Sequence, residues 1–343
     1  MGEKTGIEWS DSTFNPWIGC TRLGPGCDHC YAEQRMDKRL HVVNWGTGQP
    51  RKRTSAANWR GPLQWEREHE AFAAANGGRR RRVFCASLAD VFDNEVDPAW
   101  RQDLFDLIAN TPHLDWLLLT KRIGNAADMI NAALLDDGPQ WPWPNVWLGA
   151  TVVDQTEADR DIPKLLAAPA AKRFLSIEPM LGPVDLTEHL WGRAKPCGLC
   201  PRDLDCECGL LPRNSVMQLG EPALSWVIVG GESGPHARPM HPDWARSVRE
   251  QCAAAGVPFL FKQRGEWLPW HHFLVSGIED GDGAQPTKYA TVEWRERQAH
   301  DVGRPDYWDS MDGAIDGQQC MGRVGKKAAG RLLDGREHNG FPA

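Results

Sequence analysis

From Arg82 onward the chain alternates short, apolar, β-prone runs with amphipathic stretches, and this alternation constrains its fold more than any other feature. RVFCAS (82–87), DWLLLT (115–120), NVWLGATV (145–152), KRFLSI (172–177), SWVIVGG (225–231) and VPFLFKQ (257–263) read as strands. PAWRQDLFDLIANT (98–111), IGNAADMINAALL (123–135), DQTEADRDIPKLLAA (154–168) and PDWARSVREQCAAAG (242–256) read as helices. Nearly continuous apolar strands separated by helices are buried on both faces, which points to a parallel sheet covered by helices. Pro242 in a first turn and Gly256 just past a last turn punctuate the clearest helix. With FNPWIGC (14–20) as a first strand, about seven strands are available, which predicts an α/β fold, a partial or full (β/α) barrel. A doubly wound sheet is the alternative, although no strand leads into the G-x-G-x-x-G of a dinucleotide site.

Two segments interrupt the alternation: 41–81, rich in Arg, Gly and Trp, and 183–224, which carries a cysteine group. Both read as insertions into a barrel spanning 1–265. The remainder, 266–343, reads as a C-terminal extension whose end, MGRVGKKAAGRLLDG (321–335), suggests a short basic helix. A composition of 41% hydrophobic and 25% charged residues is that of a globular chain. No apolar run approaches the roughly 18 residues of a membrane span, and the first residues have neither a basic nor an apolar signal region. A cytoplasmic protein without a membrane partner is therefore expected.

The net charge of −7 argues against coating nucleic acid through bulk charge. Local basic runs at Arg51-Lys52-Arg53, Arg79 to Arg82 and Lys326-Lys327 leave a local phosphate-binding patch open, with Trp45 and Trp59 near enough in sequence to stack on bases. The competing reading is solvated loop charge. Composition gives no account of the 17 Trp residues.

Seven of the 10 cysteines fall in two tight groups, a usage that suits metal ligands better than disulfides in a reducing compartment. In GCTRLGPGCDHCYAE, Cys20, Cys27 and Cys30 are spaced C-x6-C-x2-C ahead of a helical stretch. Three thiolates on one loop can hold three corners of an iron–sulfur cluster or three positions of a zinc ion. Gly19, Gly24 and Gly26 are expected to let the loop curl through positive φ. Three ligands leave a corner open to water, cofactor or substrate unless His29 or a remote residue closes it. In CGLCPRDLDCECG, Cys197, Cys200, Cys206 and Cys208 suit a structural zinc knuckle, with an auxiliary iron–sulfur cluster as the alternative.

IEWSDSTFNPWIGCTRLGPGCDHCYAE, DVFDNEV, DWLLLTKR, FLSIEPMLGPVDL, WVIVGGESGPHARPMHPDWARSVREQC, PFLFKQRGEW and VGKKAAGRLLDGRE together resemble a phage and prophage family, the gene-product-thirty-seven/sixty-eight type. Its three-cysteine loop is similar to the signature of radical S-adenosylmethionine (SAM) enzymes, with a longer first gap and with Tyr31 after, not before, the last cysteine. The resemblance implies a radical-SAM-type barrel with a [4Fe–4S] cluster on Cys20, Cys27 and Cys30, and SAM on the fourth iron. In a barrel, function gathers at the C-terminal ends of strands. Those ends are polar here: Ser87 and Asp90, Thr120 to Arg122, Thr151, Ser176 and Glu178, Glu232 and Ser233, and Lys262 to Arg264. From them Ser87, Thr120, Lys121, Ser176, Glu178, Glu232 and Lys262 are the candidate cofactor-binding residues, since a zwitterion such as SAM needs both charges and hydroxyls.

The leading expectation is an enzyme that takes an electron from an external donor and cleaves SAM to a 5′-deoxyadenosyl radical, acting on DNA or a nucleobase. The alternatives are a non-catalytic, metal-stabilised nucleic-acid-binding protein and an enzyme that modifies a partner protein.

Overall fold

The computed structural model describes residues 5–134, 138–190, 223–269, 288–293, 299–302 and 318–342. The chain opens with β1 (Ser12–Thr13), β2 (Trp17–Ile18) and the short helix α1 (Tyr31–Glu33), which runs on as a wider turn through Gln34–Arg39. β3 (Lys52–Arg53), α2 (Ala56–Arg67) and α3 (His69–Ala75) follow, so the Arg/Gly/Trp-rich stretch connects the first strand to the next. Then come β4 (Arg81–Cys85), α4 (Pro98–Ala109), β5 (Leu114–Thr120), α5 (Ile123–Ala133), β6 (Val146–Thr151), α6 (Gln155–Ala167), β7 (Lys172–Ile177) and α7 (Thr187–Leu190). β8 (Trp226–Gly230), α8 (Pro242–Ala255) and β9 (Phe259–Gln263) complete the alternation. β10 (Trp267–Pro269), β11 (Tyr289–Glu293), β12 (Ala299–Val302), β13 (Gln318–Arg323) and α9 (Lys326–Ala329) form the C-terminal part.

Seven strands form one sheet in the order β1-β4-β5-β6-β7-β8-β9, every neighbouring pair parallel. Each strand lies beside the one before it, without the reversal that makes a doubly wound sheet, so that alternative is set aside. β1 and β9 are not paired, and the sheet is a curled half-barrel, not a closed one. The first strand is Ser12–Thr13, paired with Val83 and Phe84, and not FNPWIGC; Trp17 and Ile18 instead pair antiparallel with Arg53 and Lys52.

Side chains alternate along each strand, and the alternation builds two cores. Val83, Trp116, Leu118, Leu148, Leu175, Val227, Val229 and Phe261 pack against Leu104, Phe105 and Ile108 of α4, Ile130 of α5, Ile162 of α6 and Trp244 of α8. The intervening residues, Phe84, Leu117, Trp147, Phe174, Trp226, Ile228 and Leu260, gather with Trp9 on the other, concave face. Trp226 meets Trp9 and Trp147 edge to face, with ring centroids 6.4 and 6.1 Å away. Gly149 has to lack a side chain because a Cβ there would enter the Phe174 ring. Three of the tryptophans thus fill the lower half of an open barrel, which smaller side chains would leave hollow.

The C-terminal tail covers the free edge. Leu260 bridges Asn339, Phe261 N donates to His338 O (3.0 Å) and Gly340 N to Phe259 O (2.9 Å). Phe341 then lies 5.0 Å from Trp226, centroid to centroid, with the Arg82 guanidinium 3.7 Å from its ring centre. The tail therefore ties β9 to β4 across the barrel floor. A second, antiparallel sheet, β10-β13-β11-β12, precedes it. The basic helix expected over 321–335 is one turn, α9, because residues 321–323 belong to β13. Among the described residues, no helix is long and apolar enough to cross a membrane.

Candidate functional site

The concave face changes character along its strands. Below it is aromatic; above it, the residues next in the alternation are Lys121, Thr151, Ser176, Glu178, Glu232 and Lys262, and they line a cavity of about 810 Å³ at the C-terminal mouth. Cys20, Cys27 and Cys30, on the loop that follows β2, line the same cavity. All seven candidate cofactor residues, Ser87 and Thr120 included, border it, whereas Arg122 and Arg264 do not. Arg264 Nε donates to Leu332 O (2.9 Å), and Arg122 Nη2 to Thr21 O (3.1 Å).

The cysteine loop is held from several sides. Gly19 has φ +112°, as expected for a turn glycine. Gly24 is extended and Gly26 also lacks a positive φ, which corrects the expectation for them; they are needed for close approach. A Cβ on Gly26 would lie 2.7 Å from Val153 Cγ1 and 3.4 Å from Lys121 Cε, and one on Gly24 2.8 Å from Glu157 Oε1. Arg22 grips Glu33 with two bonds (2.8 and 2.9 Å), bracing the loop against the helix behind Cys30. Cys30 caps that helix. Burial raises its thiol pKa, opposed by the backbone N–H groups of Glu33 and Ala32. Burial, with Asp90 and Asp93 adding to it, pushes the Cys20 thiol up to about 12. Such thiols stay protonated until a cation displaces the protons.

The three sulfurs are not gathered within 4.8 Å of one another. One tetrahedral zinc with bonds of about 2.3 Å would draw its thiolates to about 3.8 Å. A cluster puts each thiolate on a separate iron, further apart, and three thiolates are the donor set for three of its corners. His29 turns Nδ1 to Glu232 Oε2 (3.0 Å), so that nitrogen is engaged away from the cysteines.

The polar strand ends divide into a frame and a free set. Thr120 Oγ1 donates to Asp90 Oδ1 (2.7 Å) while Asp90 Oδ2 accepts from Lys121 N (3.0 Å), joining the ends of β4 and β5. Ser87 Oγ accepts from Asn15 Nδ2 (3.0 Å), and its carbonyl accepts from Tyr31 Oη. Glu232 accepts from the Arg238 guanidinium twice (2.8 and 2.6 Å) and from its backbone N–H (2.8 Å), and Arg238 continues to Asp28 Oδ2 (3.1 Å) and Pro25 O (2.8 Å). Burial alone would raise the Glu232 pKa, but the Arg238 and His29 hydrogen bonds hold it below the usual carboxylate value. Glu232 thus clamps the cysteine loop to the end of β8. Glu178 is held by its neighbours: Lys262 Nζ is 3.2 Å from Oε1, and Ser176 Oγ donates to Oε2 at 3.2 Å. Gly230 makes room for it, since a Cβ would fall on Glu178 Oε1. Lys121 forms no ion pair among the described residues, which leaves its ammonium available to a ligand.

Arg238 carries no signal in the sequence, and Arg51, expected in a phosphate-binding patch or as solvated loop charge, is neither. Arg51 is 1% exposed and donates to Asp93 Oδ2 (2.8 Å), Thr21 Oγ1 (2.7 Å), Gly46 O (3.1 Å) and Gln49 O (3.0 Å), holding the residue after Cys20. Other members of the basic runs pair nearer the surface, while Lys326 and Lys327 are exposed. Arg53 pairs with Asp103 and lies 4.4 Å from the Trp59 ring centre; Arg79 pairs with Asp11, and Arg81 covers Phe72. Cys197, Cys200, Cys206 and Cys208 lie outside the described residues.

Fold and site together define a parallel α/β half-barrel protein with a thiol-edged polar cavity at its C-terminal mouth. The chain belongs to the family described as protein of unknown function (DUF5131), whose model matches residues 4–342. No curated protein and no solved structure matches it.

Proposed function

We propose that this chain is an iron–sulfur enzyme of the radical-SAM-like kind, with Cys20, Cys27 and Cys30 holding three corners of a [4Fe–4S] cluster and SAM occupying the polar strand ends beside it. The observation that carries the reading is the meeting of three otherwise unpaired cysteines with the polar ends of successive strands around one cavity large enough for a cofactor and a small substrate group. When bound, the reduced cluster and SAM supply a 5′-deoxyadenosyl radical by one-electron cleavage of the sulfonium, leaving methionine, with the electron coming from an external donor.

The chain's own residues have three tasks. Lys121 offers a cation to a carboxylate. The Ser176–Glu178–Lys262 set offers a carboxylate to an ammonium group and hydrogen bonds to hydroxyls. The Trp9, Trp147, Trp226 and Phe174 floor closes the lower end against water, which a reactive carbon radical requires. The substrate class we propose is DNA or a nucleobase, by analogy from the phage-family resemblance and the local basic runs. Of the basic residues that the non-catalytic nucleic-acid-binding alternative would use, Arg51 is buried against Asp93, whereas Arg53 and Arg79 pair at the surface and Lys326 and Lys327 are exposed.

The test is iron and sulfide content after reconstitution without oxygen. Wild type should hold about four irons in the three-cysteine site, and Cys20→Ala, Cys27→Ala and Cys30→Ala should each lose them. Iron content that is unchanged in all three variants would overturn the proposal.

A further inference from the structure

At the opposite end of the half-barrel from the cavity, three metal-ligating side chains from separate elements converge. Glu66 is in the last turn of α2, His69 opens α3, and His113 immediately precedes β5. One ligand atom from each lies within 4.8 Å of the others. We propose that Glu66, His69 and His113 form a cysteine-independent binding site for a divalent cation of the zinc type, joining the α2–α3 corner to the start of β5.

Two observations support this. His69 Nδ1 lies 2.7 Å from the Glu66 carbonyl oxygen. A carbonyl only accepts, so Nδ1 carries the proton and Nε2 keeps its lone pair for a metal, the arrangement that fixes liganding histidines elsewhere. Secondly, Glu66 is already oriented, accepting from His113 N (3.1 Å) through Oε2 and contacting His113 Nδ1 (2.5 Å) through Oε1. A cation takes the place of the proton shared in that contact. The His113 ring stacks on the His69 ring at 3.9 Å, so sharing an ion requires His113, whose side chain is 49% exposed, to leave the stack. The terminal torsion of histidine is broad, so His113 can tilt out of the stack to share an ion with His69, and water fills the remaining positions.

Two imidazoles and one carboxylate select a borderline metal such as Zn²⁺ over Mg²⁺ or Ca²⁺, which prefer all-oxygen shells. The site stands apart from the Cys20, Cys27 and Cys30 loop and does not depend on the proposed enzymatic role.

Co²⁺ is the probe, because its spectrum separates nitrogen and oxygen ligands from thiolates. In equilibrium dialysis of the full chain, wild type should bind one more equivalent than the His69→Ala/His113→Ala variant, whatever the cysteines hold. That extra equivalent should bring weak visible bands with no thiolate charge-transfer absorption. Equal Co²⁺ content in the two proteins would overturn the proposal. Glu66→Gln keeps the size of the side chain and removes one ligand charge, and should weaken the extra site about tenfold or more. An unchanged affinity in that variant would also overturn it, even if the double variant failed to fold.

Discussion

Replacing Arg51 by Ala should both destabilise the fold and loosen the cysteine loop. Its guanidinium and the Asp93 carboxylate are each 1% exposed, and Glu95 Oε2 lies 2.8 Å away on the other side. Removing one partner of such a pair leaves an uncompensated buried charge, at a cost of about 3–5 kcal/mol. The lower end applies here, because Arg122 Nη2 remains 3.7 Å from Asp93 Oδ1 and the Glu95 amide still donates to it. At about 2 °C per kcal/mol for a chain of this length, 3 kcal/mol lowers the melting temperature by roughly 6 °C. Arg51→Lys keeps the charge but loses the fork to Thr21, Gly46 and Gln49, and should cost about half as much. Thermal unfolding followed by circular dichroism gives the stability, and iron retention after reconstitution reports the loop. A melting temperature within about 1 °C of wild type for Arg51→Ala would refute the buried-pair reasoning.

Gly26→Ala forces a Cβ to 2.7 Å from Val153 Cγ1 and should cost about 1–3 kcal/mol with a fall in iron incorporation, while Gly6→Ala, with open space around it, should leave both unchanged. Phe341→Ala removes the ring contact with Trp226 and the Arg82 contact, and calorimetry should show a loss of about 2 kcal/mol. Burial would raise the Asp11 and Asp334 pKa values, but the Arg79 and Arg82 contacts of Asp11, and the Arg249 and Arg246 bonds of Asp334, hold both below 3.8. A depressed carboxylate contributes stability above its unfolded value that is lost as pH falls through the folded one. Asp11→Asn should therefore be less stable than wild type at pH 7 by about 1 kcal/mol, with the gap closing in urea titrations below pH 3.8. Glu232→Gln should free the cysteine loop, read as faster proteolysis near Asp28, since the Arg238 fork needs both carboxylate oxygens.

What was legible in the sequence is what local periodicity writes. KRFLSI is β7 residue for residue, and Gly256 ends α8 with φ +68° as a C-terminal glycine should. The cavity residues were legible because a residue that ends an apolar strand with charge has little reason to do so in a core. β1 was not, because two residues carry no period, and its Ser-Thr pair is polar. Arg238 and Arg51 were hidden for a different reason: the ion pairs that tie them into the site reach Asp28, 210 residues from Arg238, and Asp93, 42 residues from Arg51, and such long-range pairs leave no local pattern. The Trp-rich floor needed the curl of the sheet, which brings Trp9, Trp147 and Trp226 together only in three dimensions.

The most direct test of the central claim is product formation by the protein reconstituted without oxygen, supplied with dithionite and SAM and analysed for 5′-deoxyadenosine and methionine. Both should form in equal amounts with wild type and be absent with Cys27→Ala. A wild-type protein that carries its iron but leaves SAM intact would contradict the radical reading.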